Sequence, residues 1–94
     1  MLPFAKYLAV QTADTIVATG KAGLVAVMVT GDGVNVATVT IWDSLSAAGT
    51  KLFEAVLPIT QRSILFSFVR PIKAEIGLFL DVTGTGATAS VYYV

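Results

Sequence analysis

Hydrophobic and polar residues alternate along several short stretches of this chain. The stretch 38–42 has the sequence TVTIW, and the same period of two recurs in 63–70 and 75–82. Successive side chains of a β-strand point to opposite faces of its sheet. Val39 and Ile41 are therefore predicted to share one buried face, with the threonines and the tryptophan on the other. The buried faces predicted for the other two stretches are Ile64, Phe66 and Phe68 in 63–70, and Ile76, Leu78, Leu80 and Val82 in 75–82.

Turn-forming residues separate these stretches at the spacing of about 8–12 residues that is typical of a β-sandwich or small barrel. No segment of the sequence keeps a clean helical period; the best helix candidate, 46–57, contains Gly49 and Thr50. The segment 5–10 is interpreted either as an eighth strand or as part of an N-terminal arm spanning 1–12. The predicted strands are 13–18, 23–30, 35–42, 50–57, 63–69, 74–82 and 87–93.

Several positions outside the predicted buried face are also apolar. The strand 23–30, with sequence GLVAVMVT, is apolar on both faces. Scattered exposed apolar residues are normal, but this many favour a contact between subunits. The candidates for such an interface are Phe4, Tyr7, Trp42, Leu65, Val69, Phe79, Tyr92 and Tyr93.

Composition supports an assembled protein and excludes several classes of partner. The 94 residues are 55% hydrophobic and 13% charged, whereas an ordinary soluble domain has about 25% charged residues. The net charge is zero and no basic cluster is present, so we expect no nucleic-acid partner. The longest apolar run, 24–29, is far shorter than the roughly 20 residues of a spanning helix, so we expect no membrane partner.

The sequence DSLSAAG that follows the strand 38–42 contains the most obvious candidate for chemistry. Asp43, Ser44 and Ser46 resemble part of a hydrolase site, but a serine nucleophile needs a base to activate it. The chain has no histidine, and the nearby Lys51 has no feature that marks it as desolvated. We therefore predict that Asp43 closes a turn by accepting from backbone amides two residues on, and that the protein is not an enzyme.

Metal and cofactor sites are not predicted either. The chain has no cysteine, and Asp32 between two glycines is typical of a hairpin turn. Asp14, Asp32, Asp43 and Asp81 could meet at one end of a sandwich as metal ligands, although a metal site is not the favoured interpretation. The glycines in 83–86 lack the lysine and the following helix of a phosphate loop.

The middle and the end of the chain resemble small structural proteins of tailed-bacteriophage virions. The resemblance is carried by GLVAVMVTGDG, VATVTIWDSLSAAGTKLF and IGLFLDVTGTGATASVYYV, and it covers about residues 20–94. In these proteins a strand ending in an aromatic–Asp pair leads into a Ser/Gly loop, as Trp42 and Asp43 do here. A later glycine hairpin leads to a terminal Val-Tyr-Tyr strand.

The resemblance implies a fold and a role. Together with the strand pattern, it leads us to expect an all-β chain forming a single antiparallel, jelly-roll-like β-sandwich of seven or eight strands over residues 1–94. It implies a capsid decoration (cement) protein on the capsid surface, contacting the major capsid protein, often as a homotrimer. The alternative is a receptor- or glycan-binding module of a fibre or tail, which predicts an exposed cluster of Trp42 with the loops 31–33 and 83–86.

Overall fold

A computed structural model describes residues 6–60 and 62–94, with the backbone alone for 7–10. The described residues form eight β-strands and no helix. The strands are β1 (Lys6–Gln11), β2 (Thr15–Thr19), β3 (Ala22–Thr30), β4 (Ala37–Asp43), β5 (Thr50–Leu57), β6 (Ser63–Ala74), β7 (Gly77–Thr83) and β8 (Thr88–Tyr93). Since no described segment is helical, none forms a helix able to cross a membrane.

The strands form two four-stranded antiparallel sheets with the topology of a jelly roll. Sheet I has the order β1-β8-β3-β6, and sheet II has the order β2-β7-β4-β5. β1 pairs with β8, β2 with β7, β3 with β6 and β4 with β5. The chain is therefore one long hairpin, with its turn between β4 and β5, rolled so that β3 also meets β8 and β4 also meets β7. This confirms the predicted all-β, jelly-roll-like sandwich.

The core lies between the two sheets and is built from the alternating apolar positions of the central strands. In sheet II, Val39 and Ile41 of β4 are fully buried, as are Leu78 and Leu80 of β7. In sheet I the largest fully buried side chains are Leu24, Val27, Val29 and Val91. Ile64, Phe66 and Phe68 of β6 pack against this core, and Phe53 meets the rings of Phe66 and Phe68 edge-on. The predicted inward faces of 38–42, 63–70 and 75–82 are therefore confirmed in the strands, while Ile76 is exposed in a turn.

Two strand predictions need correction or completion. The segment 70–73, which separates the predicted strands 63–69 and 74–82, is not a turn: it lies within β6, and the turn follows it at Glu75 and Ile76. Pro71 is tolerated there because β6 is an edge strand with a wide bulge opposite Val25. Lys6–Gln11 forms an edge strand of sheet I, which is the eighth-strand alternative; residues 1–5 of the expected arm lie outside the described residues.

The connecting loops gather at two ends of the sandwich, named here after the aspartate at each. The Asp32 end contains the β3–β4 and β7–β8 loops, where Gly31 N–H donates to Arg62 O and Gly86 packs against Asp32. The Asp43 end contains the β2–β3, β4–β5 and β6–β7 loops, where Gly20 N–H donates to Ile76 O. The sandwich separates these two groups of loops along the strands.

Candidate interaction surfaces

Asp43 binds backbone amides, but not those of its own loop. Its carboxylate accepts from the N–H groups of Ile76 at 2.8 Å, Glu75 at 3.1 Å and Gly77 at 3.3 Å. These hydrogen bonds, with that of Ile76 the largest contribution, lower the pKa of Asp43 because they stabilise the charged form. The predicted bonding to amides is therefore found, whereas the predicted location two residues on is wrong. Asp43 ties the end of β4 to the turn between β6 and β7.

The serines beside Asp43 have no activating base in this arrangement. Ser44 Oγ accepts a hydrogen bond from Ser46 N–H at 3.2 Å, which makes a local turn. Lys51, the base considered from the sequence, pairs with Glu54 at 3.2 Å and lies 5.4 Å from the centre of the Trp42 ring. A serine nucleophile requires a base within hydrogen-bond reach and a group that orients it. The hydrogen bond between Ser44 and Ser46 instead forms a turn.

Asp32 also closes a loop. Its carboxylate accepts from Val34 N–H and Asn35 N–H, each at 2.8 Å, and from Asn35 Nδ2 at 3.0 Å. These bonds, led by the one from Asn35 N–H, lower the pKa of Asp32 to about 2. Gly33 follows with a φ of +82°, the left-handed conformation expected of a glycine in this turn.

The four aspartates do not gather into a metal site. Asp32 and Asp43 lie at opposite ends of the sandwich, and each is bonded to backbone amides. Asp14 instead accepts from Val82 N–H at 3.0 Å, close to Asp81. Among the described residues, no group of three or more acidic, histidine or cysteine side chains is arranged to hold a metal ion.

The outward face of sheet II carries an aromatic row beside a polar row. Trp42 pairs with Phe79 on the neighbouring strand, and Phe79 pairs with Ile16 on the next, so the row continues to the edge strand β2. Trp42 and Phe79 are half-buried, and Ile16 is 49% exposed. The sequence placed Trp42 and Phe79 outside the buried face, and the structure brings them together.

The polar row follows one step along the same strands. Thr40 lies opposite Glu54 on one side and Asp81 on the other, and its Oγ1 donates to Glu54 Oε2 at 3.0 Å. The bonds that Lys51 and Thr40 make lower the pKa of Glu54. Burial raises the pKa of Asp81, and the charge of Asp14 raises it further. This face therefore combines aromatic rings with carboxylates of both stronger and weaker acidity.

The Trp42 indole N–H lies beside the Asp81 carboxylate but does not meet the geometry of a hydrogen bond to any described residue. Nε1 is buried and makes no hydrogen bond within the described residues, although the indole lies near enough to Asp81 to oppose the rise in its pKa. A buried donor without an acceptor is unfavourable. The Trp42 ring lies on the strand position opposite Phe79, with Lys51 Nζ 5.4 Å from the centre of the ring.

The outward face of sheet I has a different character. Met28 lies between the buried Val27 and Val29 on β3, so it points away from the core. Ser90 and Leu65 lie opposite Met28 on the two flanking strands, and Leu65 is 52% exposed. The row beside it contains Ser67, Ala26 and Tyr92. Val69, in the bulge of β6, is fully exposed at the margin of this face.

The eight interface candidates therefore divide between several places. Trp42 and Phe79 are on sheet II, whereas Leu65 and Tyr92 are on the outward face of sheet I, with Val69 at its margin. Tyr93 is partly buried against the core, so its packing is accounted for within the chain. Phe4 and the side chain of Tyr7 lie outside the described residues.

Sequence reasoning missed further exposed apolar side chains. Ile16 and Val56 are on strands of sheet II, and their alternation with the buried Val17 and Ala55 was the signal that could have found them. The remaining ones lie in loops, where no period marks a side chain as outward. These are Val34, Val36 and Ile59 at the Asp32 end and Leu45 and Ile76 at the Asp43 end.

Comparisons with known proteins place no constraint on these surfaces. No protein-family model, curated protein or solved structure matches the chain.

Proposed function

We propose that this chain is a non-enzymatic structural protein of a tailed-bacteriophage virion, most specifically a capsid cement protein. In this role it bridges neighbouring major capsid subunits on the outer surface of the shell. The proposal rests on the resemblance carried by residues 20–94 and on the surfaces described above. The jelly-roll topology is compatible with it, since capsid proteins use this fold, but lectins use it too.

The observation that carries the proposal is the presence of apolar residues on both broad faces of a thin molecule. A bridging protein needs two separate contact surfaces, and the sandwich is 40 × 28 × 18 Å. Leu65 is exposed on one broad face and Ile16 and Val56 on the other. Burial of 1,000 Å² of apolar surface contributes on the order of 25 kcal/mol before the cost of association is subtracted.

The quaternary state and the N-terminal contact belong to the same proposal. Following the resemblance, we propose a homo-oligomer, with a trimer as the expected form. Apart from the resemblance, which covers about residues 20–94, we also propose a docking role for the N-terminal residues. Because Lys6–Gln11 forms β1, deletion of 1–12 would remove an edge strand as well as the arm. Deletion of residues 1–5 is the cleaner test of an arm, and we expect it to reduce occupancy on particles.

Purified particles of the phage that encodes the chain provide the test. We expect the chain in the particles at a copy number comparable with that of the major capsid protein. Particles assembled without it should form normally but release their genome at a lower temperature. Absence of the chain from purified particles would refute a virion role, and a low copy number with unchanged heat stability would refute the cement role.

A glycan-binding module is the second candidate, and one of its expectations fails. Trp42 is on β4 next to the Asp43 end, whereas the loops 31–33 and 83–86 are at the Asp32 end, so the expected cluster does not form. The surface that favours this function is instead the row of Trp42 and Phe79 beside carboxylates, because rings and carboxylates together suit sugar faces and hydroxyls. Binding of the isolated chain on a glycan array, lost with Trp42→Ala, would favour this function over cement.

A further inference from the structure

The outward face of sheet I contains no charged side chain in its three central rows. Each row crosses β6, β3 and β8 in register. The rows are Ser63-Thr30-Thr88, Leu65-Met28-Ser90 and Ser67-Ala26-Tyr92. The equivalent face of sheet II, by contrast, carries Lys51, Glu54 and Asp81. These three rows therefore differ in charge from the outward face of sheet II, although the outward face of sheet I carries Lys73 beyond the bulge, opposite Gly23.

From this contrast we infer that the outward face of sheet I binds a second copy of this chain, face to face about a two-fold axis. A two-fold interface brings a surface patch against the same patch of the partner. Such a patch must be self-complementary, and a charge near the axis would meet its own like charge. The uncharged rows of sheet I meet this condition, whereas the carboxylates of sheet II do not.

The shape and area of the face fit this occupant. Serine, alanine and threonine fill most of its nine positions, while Met28, Leu65 and Tyr92 provide larger side chains that can interdigitate with those of a copy. Sheets that pack face to face are about 10 Å apart. A standard specific interface buries roughly 800 Å² per partner, so the contact would have to extend from these nine positions to the margins of the broad face, which measures 40 × 28 Å.

The most exposed apolar side chains of this face lie on its edge strand, and its central positions are the least exposed. Ala26 and Ser90 are already almost inaccessible on this outward surface, so the contact would be made by the taller side chains around them. Leu65 is half-exposed and Val69 fully exposed on the edge strand β6. In a two-fold pair these residues gain the burial that the single chain does not give them.

A two-fold pair would take the place of the trimer expected in the proposed function, and each copy would then offer only sheet II to capsid subunits. The cement role is tested separately, by the presence of the chain in purified particles. A face that packs on its own copy closes with two chains, whereas a trimer needs two different surfaces that fit each other. The mass in solution therefore separates this pair from the trimer implied by the resemblance. Sheet II remains available for a further partner in either case.

The experiment measures the mass of the full chain by sedimentation velocity over a range of concentrations, with matched variants. We expect a reversible dimer. Leu65→Glu should raise the dimer dissociation constant at least tenfold, because it places a carboxylate in an apolar contact on both copies. Ile16→Glu is the control, since Ile16 is 49% exposed and Leu65 52% but Ile16 belongs to sheet II.

The outcomes are decisive in both directions. A wild-type monomer at all concentrations, a trimer, or a dimer disrupted by Ile16→Glu and not by Leu65→Glu would overturn the inference. If Leu65→Glu does not fold, as judged by circular dichroism, Ser67→Glu replaces it, because Ser67 is already exposed and outward. A monomer whose binding to capsids is lost in the Leu65 variant would show that a capsid subunit, and not a copy, covers this face.

Discussion

The inward and outward sides of sheet II can be tested with two valines on neighbouring strands. Val39 on β4 is fully buried, whereas Val56 on β5 is 61% exposed. Replacing either with alanine removes the same atoms and the same strand preference. The difference in destabilisation between the two variants therefore measures burial alone.

The expected magnitude follows from the exposure of each side chain. Loss of two buried carbon groups at Val39 costs about 1.6 kcal/mol at about 0.8 kcal/mol each, and the cavity left behind adds roughly 1 kcal/mol. We therefore expect Val39→Ala to lower the free energy of unfolding by about 2–3 kcal/mol. At Val56 less than half of the side chain is buried, so the loss should be below about 0.7 kcal/mol.

Urea unfolding followed by the fluorescence of Trp42, the one tryptophan of the chain, and by circular dichroism measures both values. A loss of 1 kcal/mol lowers the melting temperature of a domain this size by about 4–8 °C, so thermal melts should show the same order. Equal losses for the two variants, or a larger loss for Val56→Ala, would refute the assignment of faces and with it the core between the sheets.

Three further predictions concern the aspartates. Asp43→Ala should lower the melting temperature and accelerate amide hydrogen exchange at Glu75, Ile76 and Gly77, whereas Ser44→Ala should leave those amides protected; unchanged exchange in the Asp43 variant would contradict the bonding described here. Because hydrogen bonds lower the pKa values of Asp32 and Asp43 in the folded state, the stabilisation from each is present above the unfolded value of 3.8 and is lost as the pH falls through the folded pKa, which is about 2 for Asp32. Acid unfolding of Asp32→Asn should therefore have a shallower pH dependence than that of the wild type. Asp81 has a raised pKa, so Asp81→Asn should instead increase stability at neutral pH, and a decrease would contradict its placement beside Asp14.

Local pattern was enough to predict the strands and their buried faces. Val39 and Ile41 share one face of β4, and Leu78 and Leu80 share one face of β7, because residues two apart in a strand point the same way. This depends only on neighbours in the sequence, and both pairs are buried as predicted. Turn residues between the strands made the sandwich class predictable for the same reason. The resemblance then favoured the jelly-roll order of strands, which local pattern does not specify.

Features that depend on distant residues were not predictable in this way. The partners of Asp43 are amides 32–34 residues away, so the sequence around Asp43 suggested a local turn. The continuation of β6 through Pro71 depends on its position at a sheet edge, which follows from the strand order and not from the segment itself. Trp42 and Phe79 lie on sheet II, whereas Leu65 and Tyr92 lie on sheet I. This division also depends on which strands pair, so the sequence around each residue did not indicate it.

The location of the chain in an electron-microscopy map of the intact phage particle tests the central claim most directly. The account predicts density for a jelly roll on the outer surface of the capsid, where neighbouring major capsid subunits meet, with one broad face of the sandwich against the shell. Density for the chain in a tail or fibre, or a particle that contains none, would contradict it.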